Sequence, residues 1–328
     1  MCAAIAAQHA PRGHIQLLLQ VARMYYEEDR GQQEIADTIG YSRPTVSRLL
    51  AEAKERRIVR FTVAHPLEQA LELEERLRRT FGLRLAAVAS QDGADPVQSV
   101  GRLAANVIAE NGNPHTMLAL SNGRSVAAVV DSMPSLRWPY SCVTQMIGSL
   151  GSVDHHLVDG PDLCRRMSER LGGQHRPLPV PIVLASAVVA ASVKKEELVI
   201  TTLELAARSD IAICGVGSVG PRGTSGMILQ PFMTPEIDAQ VKRGKAVAHI
   251  CGHHFDAEGR HVRTSLCDRM ISMPPERLAD VKMSMVVAWG PEKVPALRAV
   301  MQTGFVNALT TDEQTAQLLL TYEPRRAR

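Results

Sequence analysis

From Gly82 onward, apolar runs of strand length alternate with stretches of helical periodicity, and that alternation leaves few folds open. The runs read as strands over 85–89, 117–120, 143–147, 182–185, 211–215, 246–250, 284–289 and 308–310. Helical patterns cover 96–110, 124–132, 161–171, 194–208, 292–303 and 312–320. A strand lying parallel to its predecessor needs a crossover of a dozen or more residues, normally a helix. The alternation therefore predicts an α/β domain with a Rossmann-like parallel sheet covered by helices on both faces. Ligands of such sheets bind outside the carboxyl ends of the strands. At 328 residues the chain is long for one domain, and two are expected.

The stretch 32–53, QQEIADTIGYSRPTVSRLLAEA, has a different texture. It reads as two short amphipathic helices, with Ile35, Ala36 and Ile39 on one face of the first. Gly40 can take the left-handed backbone of a sharp turn. Ser42 is placed to supply an N-cap oxygen, and Pro44 sits in the first turn, where a missing amide costs little. Val46, Leu49 and Leu50 return the apolar side, leaving Arg43, Thr45, Ser47 and Arg48 facing outward. Ala36 followed by Gly40, Val46 and Leu49 is the spacing of a helix-turn-helix. Over 42–60 six basic residues stand against two acidic ones, a net of +4 within a chain of only +3. That excess lies where DNA phosphates would be. A helix over 14–28 would brace the pair, and the run 58–63 fits a short strand of a winged variant. The domains expected are 12–64 (helix-turn-helix), 65–81 (a connecting helix or half of a dimer seam) and 82–321 (effector domain). Leu67, Ala70, Leu71, Glu74 and Leu77 form the stripe of the middle segment, too short to choose between its two uses.

Several strand ends carry candidate chemistry. Ser121-Asn122-Gly123-Arg124-Ser125 opens a helix and suits an anion, although an ordinary capped turn reads as well. Gln145 and Gly148 surround the end of the run 143–147. Gly215-Val216-Gly217-Ser218-Val219-Gly220 has the form GxGxxG, but Pro221, Arg222 and Gly223 follow it rather than an apolar helix. A close-approach loop for a small ligand fits better than a dinucleotide site. His249, Cys251, His253, His254 and Asp256 lack the spacing of a structural zinc site, so a core or loop role is favoured and no metal is expected. Gly290 and Lys293 follow the run 284–289; the lysine reads either as an anion ligand or as a solvated side chain. The six cysteines include no CxxC and are expected as reduced thiols in the cytoplasm. No run reaches the roughly 18–20 apolar residues of a spanning helix, so no membrane partner is expected.

The run VARMYYEEDRGQQEIADTIGYSRPTVSRLLAEAKERRIVRFTV resembles the DNA-binding region of the SorC/DeoR-type sugar-binding transcriptional regulators. The segments SNGRS, VTQMIGSLG, LAARSDIAICGVGS, ICGHHFDAEGR and TGFVNALTTDEQTAQLLL resemble successive blocks of that family's effector domain, so the likeness spans 17–320. It implies an operator-reading domain and a second domain folded like sugar-phosphate isomerases and glucosamine-phosphate deaminases, used for sensing rather than turnover. It also implies a phosphorylated sugar effector, no cofactor, no catalytic residue and a dimer of dimers. Gln32, Gln33, Ser42, Arg43, Pro44, Thr45, Ser47 and Arg48 are the residues expected at double-stranded DNA. By matching position Gly123, Arg124 and Ser125 would hold the phosphate and Gly290 and Lys293 would close on it. Asn122, Gly148, Gly215 and Gly217 would line the site, while Gln145, Asp256 and Asp312 would meet hydroxyls. The chain departs from the family at Ser125 (usually Thr), Trp289 (usually Gly) and His249 (commonly Asp). The rival is a sugar-phosphate isomerase or deaminase bearing a DNA-binding segment. A nicotinamide-binding sensor would require the 215–220 loop to open a helix.

Overall fold

The computed structural model describes residues 12–59, 66–90, 95–151, 157–220 and 226–322. The chain divides into two compact units, Met1–His65 and Pro66–Arg328.

The first unit is built from α1 (Arg12–Tyr26), α2 (Gln32–Ile39) and α3 (Arg43–Glu55). Its core joins Leu18, Val21 and Met24 of α1 to Ile35 and Ala36 of α2 and to Val46, Leu49, Leu50 and Ala53 of α3. Gly40 ends α2 in the left-handed region, φ 72° and ψ 30°, and the next amide, Tyr41 N–H, donates to Ala36 O at 3.0 Å. Ser42 holds the N-cap position of α3 with extended backbone, but its hydroxyl meets Thr45 Oγ1 at 2.8 Å instead of a backbone amide. The reading of Ser42 as an oxygen cap is corrected accordingly. Of the run 58–63, only Ile58 and Val59 are described, as half-buried bends packed on the core; the rest of that expected strand lies outside the described residues.

The second unit begins with α4 (Pro66–Phe81), β1 (Leu85–Ala89), α5 (Pro96–Asn111), β2 (Met117–Leu120), α6 (Arg124–Ser132) and β3 (Cys142–Gln145). It continues with α7 (Gly160–Leu171), β4 (Gln174–Arg176), α8 (Ala187–Val193), α9 (Glu197–Ala207) and β5 (Ile211–Cys214). Next come β6 (Gly217–Ser218), α10 (Gly226–Leu229), α11 (Pro235–Arg243), β7 (Ala248–Ile250), β8 (His253–Phe255) and β9 (His261–Val262). Last are β10 (Met283–Val287), α12 (Val294–Gln302), β11 (Ala308–Asp312) and α13 (Glu313–Thr321). Among the described residues seven strands make one parallel sheet in the order β1-β11-β10-β5-β2-β3-β4. Strands buried on both faces need apolar residues at every position. Accordingly Leu118, Leu120, Ile211, Ile213, Met283, Met285 and Val287 pack against α5, α6 and α7. On the other face Ala119, Ala212, Cys214, Val286 and Leu309 pack with residues of α4, α9, α12 and α13.

From β2 the chain proceeds to β3 on one side, while β5, on the other side of β2, leads on towards β10. The order reverses between β2 and β5, which is where a parallel sheet opens a crevice at its carboxyl edge. A smaller antiparallel sheet, β6-β7-β8-β9, follows. Gly217–Ser218 is a strand paired with Ala248–His249, so the middle of the GxGxxG run is extended backbone in a sheet, unlike the turn of a dinucleotide fingerprint.

Three expectations are corrected. The run 182–185 forms no strand, only the isolated bridge of Val183 with Met270, beside a second bridge from Pro181 to Ser149. The helix expected over 194–208 is found as α9, starting three residues late, while α8 (Ala187–Val193) was not expected; Ser186 caps α8 by accepting from Val189 N–H at 3.3 Å. In α4 the buried line is Ala70, Leu73 and Leu77, packed on its own sheet domain, whereas Leu67 and Leu71 are 50% and 53% exposed. No helix among the described residues is long and apolar enough to cross a membrane.

Candidate functional site

A cavity of about 280 Å³ opens at the carboxyl ends of β2, β3, β5 and β10. The turn after β2 supplies Ser121, Asn122, Gly123, Arg124 and Ser125; β3 leads into Ile147. Gly215, Val216 and Gly217 come from the exit of β5, and Trp289, Glu292 and Lys293 from the exit of β10. His249, Cys251 and Gly252 close the wall from β7 and the turn beyond it.

Gly123 stands at the N-cap of α6 with φ 122°, a conformation that favours glycine, and the first amides of the helix point into the turn. Arg124 is exposed, and no carboxylate pairs with it among the described residues. Lys293 is half-buried and its Nζ donates to Val216 O at 2.7 Å. Burial lowers the pKa of this lysine, and Arg124 adds to that against the opposing pull of Glu292, taking it from 10.5 to about 8. Two cations and a helix N-terminus thus converge on one cavity, the arrangement that receives an anion.

The rest of the wall is built for close approach. Gly215 lies against Ser125, whose Oγ would be 3.6 Å from an added Cβ. A Cβ at Gly217 would lie 1.8 Å from His249 Nε2, so only glycine fits opposite that ring. His249 is buried, and burial, with His254 and Lys293 nearby, lowers its pKa to about 3; the ring is neutral. Its Nε2 and the Oδ1 of Asn122 are buried without a hydrogen-bond partner among the described residues. Trp289 and Glu292 give the mouth an aromatic face and a carboxylate.

Of the sequence-derived candidates, Asn122, Gly123, Arg124, Ser125, Gly215, Gly217 and Lys293 line the cavity. Five do not, and each has another partner. Gln145 is fully buried, its amide donating to Ile147 O at 3.0 Å and accepting from Leu178 N–H at 2.8 Å. Gly148 is required by packing, since a Cβ would lie 2.8 Å from Pro181 O, and its carbonyl accepts from Asn122 Nδ2 at 3.0 Å. Asp256 closes its own turn, accepting from Glu258 N–H at 3.0 Å and from Arg260 N–H at 2.9 Å. Burial raises its pKa, but the Arg260 guanidinium and the turn amides outweigh that and hold it below the usual carboxylate range. Asp312 caps α13 through Thr315 N–H at 2.9 Å and accepts from Gly290 N–H at 3.2 Å, so Gly290 and Asp312 support the 289–293 loop from behind. Val97, Ile147, Val216, Ile228, Gly252 and Glu292 line the cavity without having been singled out; nothing in their spacing signals it.

In the first unit α3 exposes Arg43, Pro44, Ser47 and Arg48 along one side, with Thr45 half-buried and bonded to Ser42. On α2, Gln32 is half-buried and the exposed Gln33 donates to Asp37 Oδ1 at 2.9 Å.

A helix-turn-helix unit joined to a parallel α/β domain with an anion-receptive cavity at its switch point defines a class, the ligand-responsive transcription factor. Residues 65–321 match the Sugar-bind family model, described as "Putative sugar-binding domain", and the chain belongs to this family, the SorC/DeoR-type sugar-binding transcriptional regulators. The chain is 27% identical over 313 residues to the sorbitol operon regulator of Klebsiella pneumoniae, covering 93% of this chain and 98% of that protein. The crystal structure of full-length SorC from that organism superposes with a TM-score of 0.73 at 26% identity, covering 93% of this chain and 98% of that one. The deoxyribonucleoside regulator of Bacillus subtilis is 29% identical over 310 residues, with 93% and 97% of the two chains covered.

Proposed function

We propose that this chain controls transcription by holding double-stranded operator DNA through α3 and a small phosphorylated sugar in the cavity above β2, β5 and β10, as a cytoplasmic homo-oligomer that senses its ligand without turning it over. The observation that carries the reading is the convergence of Arg124, Lys293 and the α6 N-terminus in one cavity. A free sugar offers those groups no charge, whereas a phosphate monoester offers about two at neutral pH. The cavity's Trp289 and Glu292 suit the apolar face and the hydroxyls of a sugar.

In the first unit, Arg43 and Arg48 project from the exposed face of α3, and Gln33 stands at the start of the helix before it. In a helix-turn-helix the second helix enters the major groove and the first crosses the backbone. One such unit has a small footprint, so a dimer at least is needed for tight specific binding. The exposed apolar residues Leu67 and Leu71 on α4, and Val188, Leu198 and Ile200 on α8 and α9, are 48–77% exposed and offer surface for self-association.

The test is calorimetry with a panel of pentose and hexose phosphates and their dephosphorylated counterparts, run beside operator retention and light scattering. The expected result is one phosphorylated compound that binds at least about tenfold tighter than its parent sugar and changes operator retention. Equal affinity for both forms removes the phosphate assignment, and product formation from the bound compound reinstates the enzyme.

A further inference from the structure

The hairpin of β8 and β9 gathers side chains that their spacing in the sequence does not bring together. Phe255 pairs with His261 across the ladder. Since strand side chains alternate, His253, Phe255 and His261 share one face, while His254 and Val262 turn to the other. The ring geometry agrees: His261 lies 5.4 Å from Phe255 and 5.0 Å from His253, centroid to centroid. Cys267, which opens a short 3₁₀ turn (Cys267–Arg269), brings its sulfur against the same face.

From this geometry we propose that His253, His261 and Cys267 form a binding site for a borderline-soft divalent ion of the zinc type. His253 Nδ1 lies 3.2 Å from His261 Nε2, and Cys267 Sγ lies 3.8 Å from His261 Nε2. One donor atom from each of the three residues falls within 4.8 Å of the others. Zinc bonds of about 2.0–2.1 Å to nitrogen and about 2.3 Å to sulfur imply tetrahedral edges of roughly 3.3 Å (N···N) and roughly 3.6 Å (N···S). The two edges to His261 therefore match those values within a few tenths of an ångström, and the third, from His253 to Cys267, is no longer than 4.8 Å. Two imidazoles and a thiolate suit zinc and its neighbours, not magnesium or calcium, which take oxygen ligands.

The surroundings support the three donors. His253 Nε2 bonds to Ser272 Oγ at 3.1 Å, which leaves Nδ1 facing the other ligands, as an outer partner does in metal sites. Thr264 N–H approaches Cys267 Sγ at 3.5 Å, and its hydroxyl at 3.7 Å. Burial raises the Cys267 pKa, but the two imidazoles and the Thr264 amide outweigh that and bring it to about 5. His261 is exposed, so an ion can reach the three donors from solvent. The cluster is distinct from the effector cavity, whose lining includes none of the three residues. It adjoins that wall twice: Gly252 lines the cavity beside His253, and Ser272 bridges to Ile147.

The test uses the tag-free, full-length protein after treatment with a chelator, titrated with Co²⁺ alone and then with Zn²⁺ alone. The expected result is one equivalent of Co²⁺ giving the intense visible bands of tetrahedral geometry and a thiolate-to-metal charge-transfer band, both removed by Zn²⁺. Cys267→Ser abolishes the charge-transfer band, whereas Cys142→Ser keeps it. His261→Ala, at an exposed position, weakens binding at least about 100-fold, and Ser272→Ala weakens it about 10- to 100-fold. An unchanged far-UV spectrum in each variant separates loss of the ligand from loss of the fold. Absence of the charge-transfer band in the wild type, or its survival in folded Cys267→Ser, overturns the site.

Discussion

Lys293 Nζ donates to the carbonyl of Val216 at 2.7 Å, tying the loop that leaves β10 to the loop that leaves β5. The ammonium is held in the cavity before any ligand arrives, so an anion meets a positioned charge and not a mobile one. Lys293→Met removes the charge and keeps most of the volume. We expect it to weaken the phosphorylated effector by ~1.5–3 kcal/mol, one to two decades. Operator binding without effector should stay at the wild-type level. Calorimetry showing equal effector affinity in the two proteins would remove Lys293 from the site.

The same lysine predicts a pH dependence. Burial and Arg124 take its pKa down to about 8, so the cation is lost as pH rises through that value. Effector affinity should fall between about pH 7 and about pH 9, and the fall should be absent in Lys293→Met. For stability the sign is opposite. The folded pKa lies below the unfolded one, so the unfolded chain holds more protons between about 8 and 10.5, and the effector-free protein gains stability as pH rises through that window. Identical affinity profiles in wild type and variant would assign the titration elsewhere.

Gly217 faces His249 so closely that an added Cβ would lie 1.8 Å from Nε2. Gly217→Ala must displace a buried ring or part β6 from β7. It should cost ~1–3 kcal/mol of stability and abolish effector binding. Gly215→Ala meets Ser125 Oγ only at 3.6 Å, an ordinary contact, and should change stability by less than about 1 kcal/mol. Thermal unfolding of the two variants distinguishes them; equal losses would contradict the close approach at Gly217.

Arg43→Ala and Arg48→Ala should each weaken operator binding while leaving effector affinity unchanged. A bidentate contact to a base is worth ~1–3 kcal/mol, and its loss relaxes specificity at one position. An arginine that touches only phosphate should instead weaken all sequences alike and lower the salt slope by about one. Fluorescence anisotropy on operator fragments at several salt concentrations reads both. Two variants that bind like wild type would displace α3 as the recognition helix.

Glu74, half-buried on α4, accepts from Val88 N–H at 2.9 Å. Burial raises its pKa, outweighing the Val88 amide and Arg78, which lower it. A folded value above the unfolded one means a contribution fully present in acid and lost as pH rises through the folded value. Glu74→Gln keeps an acceptor and removes the buried charge, so its melting temperature should exceed that of the wild type at neutral pH. The difference should shrink in mild acid. A gap that widened in acid would reverse the assignment.

Strands such as Ile211–Cys214 and Met283–Val287 were legible because burial on both faces leaves them apolar throughout. β4, Gln174-His175-Arg176, was not, since an edge strand with all three residues exposed carries no apolar signal. The apolar run 182–185 misled for the opposite reason: its amides are satisfied, but by two different segments, Ile182 N–H donating to Ser149 O and Leu184 N–H to Arg269 O, so no ladder longer than a bridge forms. In the cavity, residues next to a strand end and a helix start could be read from order alone, as Arg124 and Lys293 were. The roles of Gln145, Asp256 and Asp312 could not. A buried amide or carboxylate must satisfy nearby backbone groups first, and those groups are brought together only by the fold. His253, His261 and Cys267 stand eight and six residues apart, and only the β8–β9 register makes them neighbours.

The first strand of the large sheet has the last as its neighbour, β1 pairing with β11 from Leu85 with Ala308 to Ala89 with Asp312. On the ribosome this arrangement imposes a wait. More than half of the chain emerges after β1 before its partner exists, and the Lys293 end of the cavity emerges in the same late stretch. Until then an apolar strand edge is open to other chains, a state that chaperones recognise. The ability to sense a ligand should therefore appear abruptly, at the close of synthesis, and a nascent chain stopped short of residue 308 should be captured by holdases rather than rescued by effector.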